Sequence, residues 1–475
     1  MFMRMVYDES LAQAAYLIGC QKSGEAIVID PERDVDRYLS LAAANGLRLV
    51  AVAETHIHAD FVSGARELAE RVGAHVYVSD EGDDDWKYGW LGEKQGDGGY
   101  DHTLLHDGDV FRVGNIELRA VHTPGHTPEH LVYMVTDLGG GADLPVGMVS
   151  GDFVFVGDLG RPDLLETAAG YAGAMRPSAE RLFHSVRKLN DVPDFVQIWP
   201  GHGAGSACGK ALGGVPTSTV GYERRFSPAL KAASDRDRFV DFILAGQPEP
   251  PLYFAHMKRI NKCGPPILGK LSTPERLPPE QILGRSGPSV SVADTRDWDE
   301  FRAGHLPGSL SLPVEPSFST NAGSLICETD EVFLVVAPGC LEDTVRRLLR
   351  IGIDKLSGWC APEDLASMDA SSLARIDEID SDAAKEAMAS GECAVLDVRR
   401  AAEFQTVRIP GTQNIAHTRL LARINEVPRG RPLIVHCQSG RRSARACSLL
   451  RREGFEVKNL AGGIAAWPHE TESGG

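Results

Sequence analysis

The chain has 475 residues and a mass of 51.3 kDa, which is too long for one hydrophobic core and predicts about two to four domains. Hydrophobic residues make up 43% and charged residues 24%, as in ordinary globular proteins. The net charge of -17 argues against a nucleic-acid-binding surface, because phosphate binding needs clustered Lys and Arg.

The amino-terminal stretch MFMRMVYDESLAQ has no basic segment followed by an apolar core, so we expect no signal peptide. No window approaches about 18 consecutive apolar residues, so we expect no membrane span. The nine cysteines are scattered without paired spacings. This distribution favours free thiols in a reducing cytoplasm over a disulfide framework.

The first part of the chain alternates short apolar runs with amphipathic segments. EAIVID predicts a buried strand, and the following PERDVDRYLSLAAANG predicts a helix with Asp30 as its N-cap. LRLVAVAETH predicts the next strand and leads directly into THIHADF. The later runs IELRAVHT, HLVYMVT and FVQIWPGHG also predict strands, each with a histidine at or near its end. Histidines at the ends of several strands indicate one shared site.

The candidate metal ligands in these segments are His56, His58, Asp60, His126, Asp152 and His202. The alternative for each histidine is a structural role, in which it caps a strand or satisfies a buried carbonyl group. Four such segments, each flanked by Gly or Pro turns, favour a metal site over four unrelated structural histidines.

In this order, THIHAD, HTPGHT, GD and PGH resemble the metallo-β-lactamase fold, an αββα arrangement, over roughly residues 1–240. Hydrolases of that fold usually read T-H-x-H-x-D-H, but this chain has Phe61 where the last histidine would help to bind a second metal ion. His56, His126 and Asp152 remain, and two imidazoles with one carboxylate suit a non-haem iron that activates O₂. The resemblance therefore implies one Fe(II) per chain, with His58, Asp60 and His202 orienting ligands or substrate.

Two alternatives to an iron enzyme stay open. The first is a zinc hydrolase of the glyoxalase II or thioesterase type, in which Asp60 and His202 hold a weak second ion. The second is a sulfur carrier or sensor whose first domain no longer turns over.

The segment VGDLGRPDL resembles persulfide dioxygenases, which oxidise a thiol persulfide with O₂ and water to sulfite and the thiol. The resemblance implies that Arg161 faces the substrate, where a guanidinium could bind a carboxylate. The alternative is that Arg161 pairs with Asp163 or Asp158 and holds a turn. Cys208 follows His202 on a Gly-rich loop, so we expect it near the metal cleft, either holding a persulfide sulfur or as an incidental thiol.

A Pro-rich stretch, residues 246–278, predicts a linker between residues 1–245 and the rest of the chain. Beyond it, residues 292–313 and 395–416 form an internal repeat that pairs Asp294 with Asp397 and Arg296 with Arg399. The repeat predicts two further domains, at residues 279–366 and 376–470.

LIVHCQSGRRSARACSLLRREGF places Cys437 between an apolar strand and an amphipathic helix. Backbone N–H groups of such a loop favour an anion, and with Arg441 and Arg442 they favour a reactive thiolate. C-x-x-G-x-R-S resembles the active loop of rhodaneses, sulfurtransferases that carry a persulfide on this cysteine. We expect Ser443 to cap the following helix.

The middle repeat has the scaffold without this chemistry. Ala337 and Pro338 replace the histidine and the cysteine, and Glu342 and Asp343 stand where arginines would be needed. Cys340 is close by, but acidic neighbours disfavour a thiolate. We therefore predict an inactive rhodanese-like domain used for packing or docking.

The whole chain resembles persulfide dioxygenase–rhodanese fusions, which implies an α/β multidomain protein with one metallo-β-lactamase-fold domain followed by two rhodanese-like domains. It implies oxidation of a small thiol persulfide, such as that of glutathione or coenzyme A, to sulfite, with sulfur transfer giving thiosulfate in sulfide detoxification. We expect a cytoplasmic homo-oligomer with no nucleic-acid or membrane partner.

Overall fold

The computed structural model of the protein describes residues 1–94, 98–168, 170–210, 212–285 and 287–473. It divides into two compact units, Met1–Leu271 and Ser272–Gly475. Within the described residues, no helix combines the length and apolar character that crossing a bilayer would require.

The first unit contains two six-stranded sheets with helices outside them. The strands are β1 Phe2–Asp8, β2 Gln13–Cys20, β3 Glu25–Ile29, β4 Arg48–Ala53, β5 His75–Ser79, β6 His102–Leu105, β7 Val110–Val113, β8 Ile116–His122, β9 Leu131–Asp137, β10 Gly147–Gly151, β11 Gln197–Pro200 and β12 Ser218–Thr219. The helices are α1 Asp36–Ala44, α2 Ala65–Val72, α3 Leu164–Thr167, α4 Met175–Arg187, α5 Val220–Phe226, α6 Pro228–Ala232, α7 Arg236–Leu244 and α8 Phe254–Cys263.

The sheets have the strand orders β1-β2-β3-β4-β5-β6 and β12-β11-β10-β9-β8-β7. All eight residues of β2 are buried, so the first sheet is covered on both of its faces. Tyr16 and Ile18 belong to the core between the sheets, whereas Ala15 and Leu17 belong to the core beneath α1 and α2. A strand whose alternate side chains enter two cores lies in an inner layer. A third core joins the second sheet to α4 and α7, and the layers have the order αββα, as the sequence predicts.

The second unit contains two parallel sheets. Its strands are β13 Val290–Asp294, β14 Leu310–Ser311, β15 Glu331–Val335, β16 Leu356–Cys360, β17 Asp377–Ile379, β18 Ala394–Asp397, β19 Gln413–Asn414, β20 Leu433–His436 and β21 Val457–Leu460. Its helices are α9 Pro279–Leu283, α10 Trp298–Ala303, α11 Phe318–Leu325, α12 Leu341–Arg350, α13 Pro362–Leu365, α14 Ser381–Ser390, α15 Ala401–Thr406 and α16 Arg441–Arg452.

The internal repeat is visible in the second unit as a repeated ion pair. The sheet order β14-β13-β15-β16 corresponds to β19-β18-β20-β21, with β17 added at the edge of the second sheet. Arg296 binds the Asp294 carboxylate at the end of β13 and the carbonyl of Gly304. Arg399 binds Asp397 at the end of β18 in the same way and also contacts a following carbonyl. The two segments therefore share a scaffold as well as a sequence pattern.

Two local predictions are wrong. The helix expected after Asp30 begins only at Asp36 with Val35 as N-cap, because Asp30 has a φ of 52° and its carboxylate binds Thr55 instead. The predicted linker, residues 246–278, also contains α8, and its first part up to Leu271 belongs to the first unit. Asn261 in α8 donates to the carbonyls of His58 and Phe61, so this segment supports the candidate site.

Candidate functional site

Four loops that follow strands of the first unit bring the candidate ligands together. The loop after β4 carries His56, the loop after β8 carries His126, the loop after β10 carries Asp152, and the loop after β11 carries His202. All four side chains are at most 4% exposed. Buried imidazoles and carboxylates need partners, and these residues face one another.

His56, His126 and Asp152 form a group whose possible ligand atoms all lie within 4.8 Å of one another. The Nε2 atom of His126 lies 3.4 Å from Oδ2 of Asp152, and the rings of His56 and His126 are 4.9 Å apart and nearly perpendicular. Both carboxylate oxygens of Asp152 are buried without a hydrogen-bond partner within the described structure. A buried carboxylate with two free oxygens fits a metal ion, which would satisfy both.

Hydrogen bonds fix which nitrogen of each imidazole is free. The Thr55 hydroxyl donates to Asp30, so its oxygen accepts from Nδ1 of His56. Nδ1 of His126 donates to the carbonyl of Arg161, which can only accept. In both rings Nε2 therefore keeps its lone pair for a metal ion.

The protonation states of the two histidines agree with this assignment. Burial, together with the neighbouring imidazoles of His58 and His126, holds the pKa of His56 well below its ordinary value. Burial also lowers the pKa of His126, against the opposing charge of Asp152. Both rings are therefore neutral near pH 7, as metal coordination requires.

Asp60, His202 and Cys208 form a second buried group next to the first, also with ligand atoms within 4.8 Å of one another. Nε2 of His202 lies 3.2 Å from Oδ2 of Asp60 and 3.5 Å from Oδ1 of Asp152. Burial raises the pKa of Cys208 to about 12, although His202 opposes the shift. Cys208 thus lies in the cleft, as the sequence suggests, and remains a thiol near pH 7.

His58 is not directed at the first group. Its Nε2 lies 3.1 Å from Oδ1 of Asp30 and 3.0 Å from Oε2 of Glu54. Burial alone would lower the pKa of His58, but the charges and hydrogen bonds of the two carboxylates raise it well above its ordinary value. Since Asp30 also holds Thr55, His58 is connected to His56 through a chain of hydrogen bonds, which fits an orienting role.

The structure corrects the placement of Arg161. Its guanidinium is completely buried and binds both oxygens of Asp163, at 3.0 and 2.6 Å. The same group donates to the carbonyls of Ala207 and Pro248. The guanidinium therefore holds the loop that carries Cys208 and is not directed at a substrate, as in the alternative interpretation of this residue.

In the second unit, Cys437 lies between β20 and α16 and is 1% exposed. Gly440 has a φ of 91°, which a residue with a side chain rarely adopts. Arg442 makes two 2.7 Å bonds to Glu403, whereas Arg441 is exposed. The glycine turn and the carboxylate of Glu403 thus position the loop and one of its arginines beside the thiol.

Ser443 does not cap α16 as predicted. The helix begins at Arg441 after Gly440, and the Ser443 hydroxyl bonds to the carbonyl of Gly440 and approaches Sγ of Cys437 at 3.5 Å. Arg445, which the sequence analysis did not select, is buried and paired with Glu315 of the middle repeat. The middle repeat thus contacts α16, the helix that follows the loop of Cys437.

The middle repeat differs from the carboxyl-terminal one at the corresponding position. Pro338–Cys340 forms a short 3-10 turn before α12, and Cys340 is exposed. Glu342 and Asp343 bind Arg346 and Arg347 one turn further along the same helix. The carboxylates therefore support α12, and they stand where the carboxyl-terminal repeat has Arg441 and Arg442.

Sequence reasoning missed Asp30, Glu54 and Thr55 as parts of the site. Asp30 and Glu54 directly follow β3 and β4, two adjacent parallel strands. Acidic residues just beyond neighbouring strands were an available signal, because such positions meet at the same edge of a sheet.

Comparison with known proteins identifies a family for each of two parts of the chain. The profile of the metallo-beta-lactamase superfamily matches residues 10–202, and that of the rhodanese-like domain matches residues 380–470. A probable metallo-hydrolase of Burkholderia pseudomallei is 30% identical over 252 residues, which cover 49% of this chain and 82% of the relative. The mitochondrial persulfide dioxygenase ETHE1 of Bos taurus is 28% identical over 231 residues, 48% of this chain and 75% of the relative.

A metallo-beta-lactamase from Staphylococcus aureus subsp. aureus COL is 38% identical to this chain in sequence, and its crystal structure matches this fold with a TM-score of 0.67. The match covers 76% of this chain and 99% of that one, so it extends beyond Leu271 into the second unit. By its αββα layers, its clustered ligands and this similarity, the chain belongs to the metallo-beta-lactamase superfamily and carries a carboxyl-terminal rhodanese-like domain.

Proposed function

We propose that the protein is an iron-dependent persulfide dioxygenase with sulfurtransferase activity, acting in sulfide detoxification. In the first reaction, a thiol persulfide, O₂ and water give sulfite, the thiol and protons. In the second, Cys437 takes the outer sulfur of another persulfide, releasing the thiol, and sulfite then removes that sulfur as thiosulfate, regenerating the cysteine.

The observation that carries the first part is the group His56, His126 and Asp152. Two neutral imidazoles with Nε2 free and one carboxylate with both oxygens free suit a single Fe(II) with open positions. Bound iron would supply the activation of O₂. The protein's part is to hold these three side chains in place, through Thr55 and the carbonyl of Arg161, and to keep the site dry.

The second part is supported by Cys437 in a rhodanese-like domain. Its loop is tightened by Gly440, and Arg442 is held beside the thiol by Glu403. The thiolate is the form of a cysteine that attacks a persulfide, and Arg442 would stabilise the anionic persulfide that results.

The decisive experiment is metal analysis combined with O₂ uptake on the same sample. Protein purified under iron-replete conditions should contain about one iron per chain and little zinc. With a low-molecular-weight thiol persulfide it should consume O₂ and form sulfite and thiosulfate. Two tightly bound zinc ions per chain, or no O₂ uptake by iron-loaded protein, would refute the proposal.

A zinc hydrolase is the second candidate, and one observation favours it. Asp60, His202 and Cys208 could hold another ion beside the first, and the relative from Burkholderia pseudomallei is named a probable metallo-hydrolase. Hydrolysis of a glutathione thioester by zinc-loaded protein, without O₂ uptake by the iron form, would establish this alternative. A sulfur carrier or sensor would show sulfur transfer at Cys437 with neither of these activities.

A further inference from the structure

The lining of a pocket in the first unit includes His126, one of the candidate metal ligands. Its described lining contains one charged side chain besides that histidine. The other lining residues are mostly apolar, with Ile57, Leu164 and Phe254 among them. Lys258 of α8 lies in the same lining, beside the exposed Ala255. The pocket thus has one candidate metal ligand, His126, and one amine, that of Lys258, in the same lining.

The Lys258 amine has aromatic partners but no carboxylate at ion-pair distance among the residues that the structure describes. Its Nζ lies 3.7 Å from the centre of the Trp86 ring and 4.4 Å from that of Tyr171, and it donates to the Tyr171 hydroxyl at 3.2 Å. Lys262, one turn further along α8, is instead paired with Asp85 at 3.3 Å. A half-buried amine without an anion is disposed to bind one from outside.

We propose that Lys258 determines substrate specificity by binding a carboxylate at the far end of a small sulfur compound whose sulfur reaches the metal ligands. This inference rests on the proposed function for the identity of the reacting group, which is the persulfide. The reacting sulfur must reach His126, so the rest of the molecule lies against the other lining residues, and among those described Lys258 carries the amine that can bind a carboxylate. The substrate class is therefore a thiol that carries a carboxylate a short chain away from its sulfur.

The pKa of Lys258 gives the proposal a pH signature. Burial lowers the pKa to about 8, although the more distant carboxylates Glu129, Asp85 and Asp83 oppose the shift and Lys262 adds to it. The cation is present below this pKa and is lost as the pH rises through it. Binding of a carboxylate should therefore weaken between about pH 7 and about pH 9, whereas binding of a neutral molecule should not.

The test compares a charged and a neutral short-chain substrate, the persulfides of mercaptopropionate and of mercaptoethanol, on the iron-loaded full chain. Lys258→Met should raise KM about tenfold for the mercaptopropionate persulfide, with kcat near the parent value, and leave KM for the mercaptoethanol persulfide within about twofold. Lys258→Arg should restore most of the loss and remove the pH dependence. Lys262→Met, the matched control on the same helix, should leave both substrates unaffected.

A binding measurement separates this inference from the proposed function. S-methyl mercaptopropionate cannot react, and calorimetric titration should show it binding the parent protein and losing about tenfold in affinity in Lys258→Met. If the parent consumes no O₂ but this difference persists, the dioxygenase is refuted and the carboxylate site stands. Equal changes for the charged and neutral substrates, or no change for either, would overturn the role of Lys258.

Discussion

Phe61 is the residue on which our proposal of a single metal ion rests. It is completely buried, and its ring lies 4.4 Å from that of His58, so it fills space beside His58 without offering a donor atom. The remaining second group, Asp60, His202 and Cys208, has one imidazole, one carboxylate and a thiol that burial keeps protonated. Such a set binds a second ion poorly until the thiol ionises.

Phe61→His should raise the metal content, most clearly with added zinc, because it restores the last histidine of the T-H-x-H-x-D-H pattern. Phe61→Leu is the control, since it removes the ring without adding a ligand, and it should leave the metal content unchanged. Metal analysis after dialysis against zinc measures both. An unchanged content in Phe61→His would mean that geometry elsewhere keeps the site mononuclear.

Asp152→Ala should lose the iron and reduce O₂ uptake to background, because two neutral imidazoles alone hold Fe(II) weakly. Sulfur transfer by Cys437 in the same preparation serves as an internal check that the chain is folded. The exposed carboxylate of Asp143 provides a control, and Asp143→Ala should keep both iron and activity. Retention of iron by Asp152→Ala would remove this residue from the ligand set.

Among the elements, the loop that carries Cys437, between β20 and α16, depends on Gly463 in the turn after β21. Gly463 has a φ of 60°, and a Cβ atom there would lie 2.4 Å from the carbonyl oxygen of Cys437 and 2.8 Å from the backbone carbon of Gln438. Ile464 also donates its N–H to that Cys437 carbonyl. The close approach of two backbone segments thus fixes the position of the cysteine.

Gly463→Ala should therefore reduce sulfur transfer by about tenfold or more and lower the free energy of unfolding by about 1–3 kcal/mol. Gly391→Ala is the matched control, because Gly391 has a φ of 74° with no atom within 4 Å of its added Cβ. That change carries only the backbone cost of about 1–2 kcal/mol and should keep the transfer rate. A thiosulfate assay and urea unfolding distinguish the two variants, and equal transfer rates would contradict this role of Gly463.

How far the sequence predicts these elements depends on whether the signal is local. The strand-end segments with His56, His126 and Asp152 could be read from apolar runs and turn residues, and the structure brings them together. The role of α8 could not, because Pro-rich composition indicates a connection, while the bonds from Asn261 to the loop of His58 and Phe61 depend on tertiary packing. For Arg161 the sequence offered the local partner Asp163 as an alternative, but its contacts with the carbonyls of Ala207 and Pro248 also depend on tertiary packing.

For the whole molecule, the two proposed activities should be separable. Cys437→Ser removes the thiolate that carries sulfane sulfur, because a serine hydroxyl stays protonated near pH 7 and cannot form a persulfide. It leaves the ligands of the first unit intact. O₂ uptake should therefore persist while the product shifts from thiosulfate toward sulfite, as measured by chromatography of the sulfur oxyanions.

Cys340→Ser is the corresponding control in the middle repeat and should leave both activities near normal, because the loop of Cys340 lacks the arginines found beside Cys437. If Cys437→Ser still formed thiosulfate at the parent rate, sulfur transfer would have to occur near the metal ligands. Cys208 would then be the first residue to examine.

The hydrogen bonds to the two ligand imidazoles also bear on how the active protein is assembled. Thr55 and the carbonyl of Arg161 orient His56 and His126 through contacts that involve no ion. The chain can thus finish folding first and acquire its ion afterwards, and a chelator should remove that ion without unfolding the first unit. If the ion is iron, as we propose, the fraction of active molecules in a cell would follow the supply of iron while the amount of folded protein stayed constant.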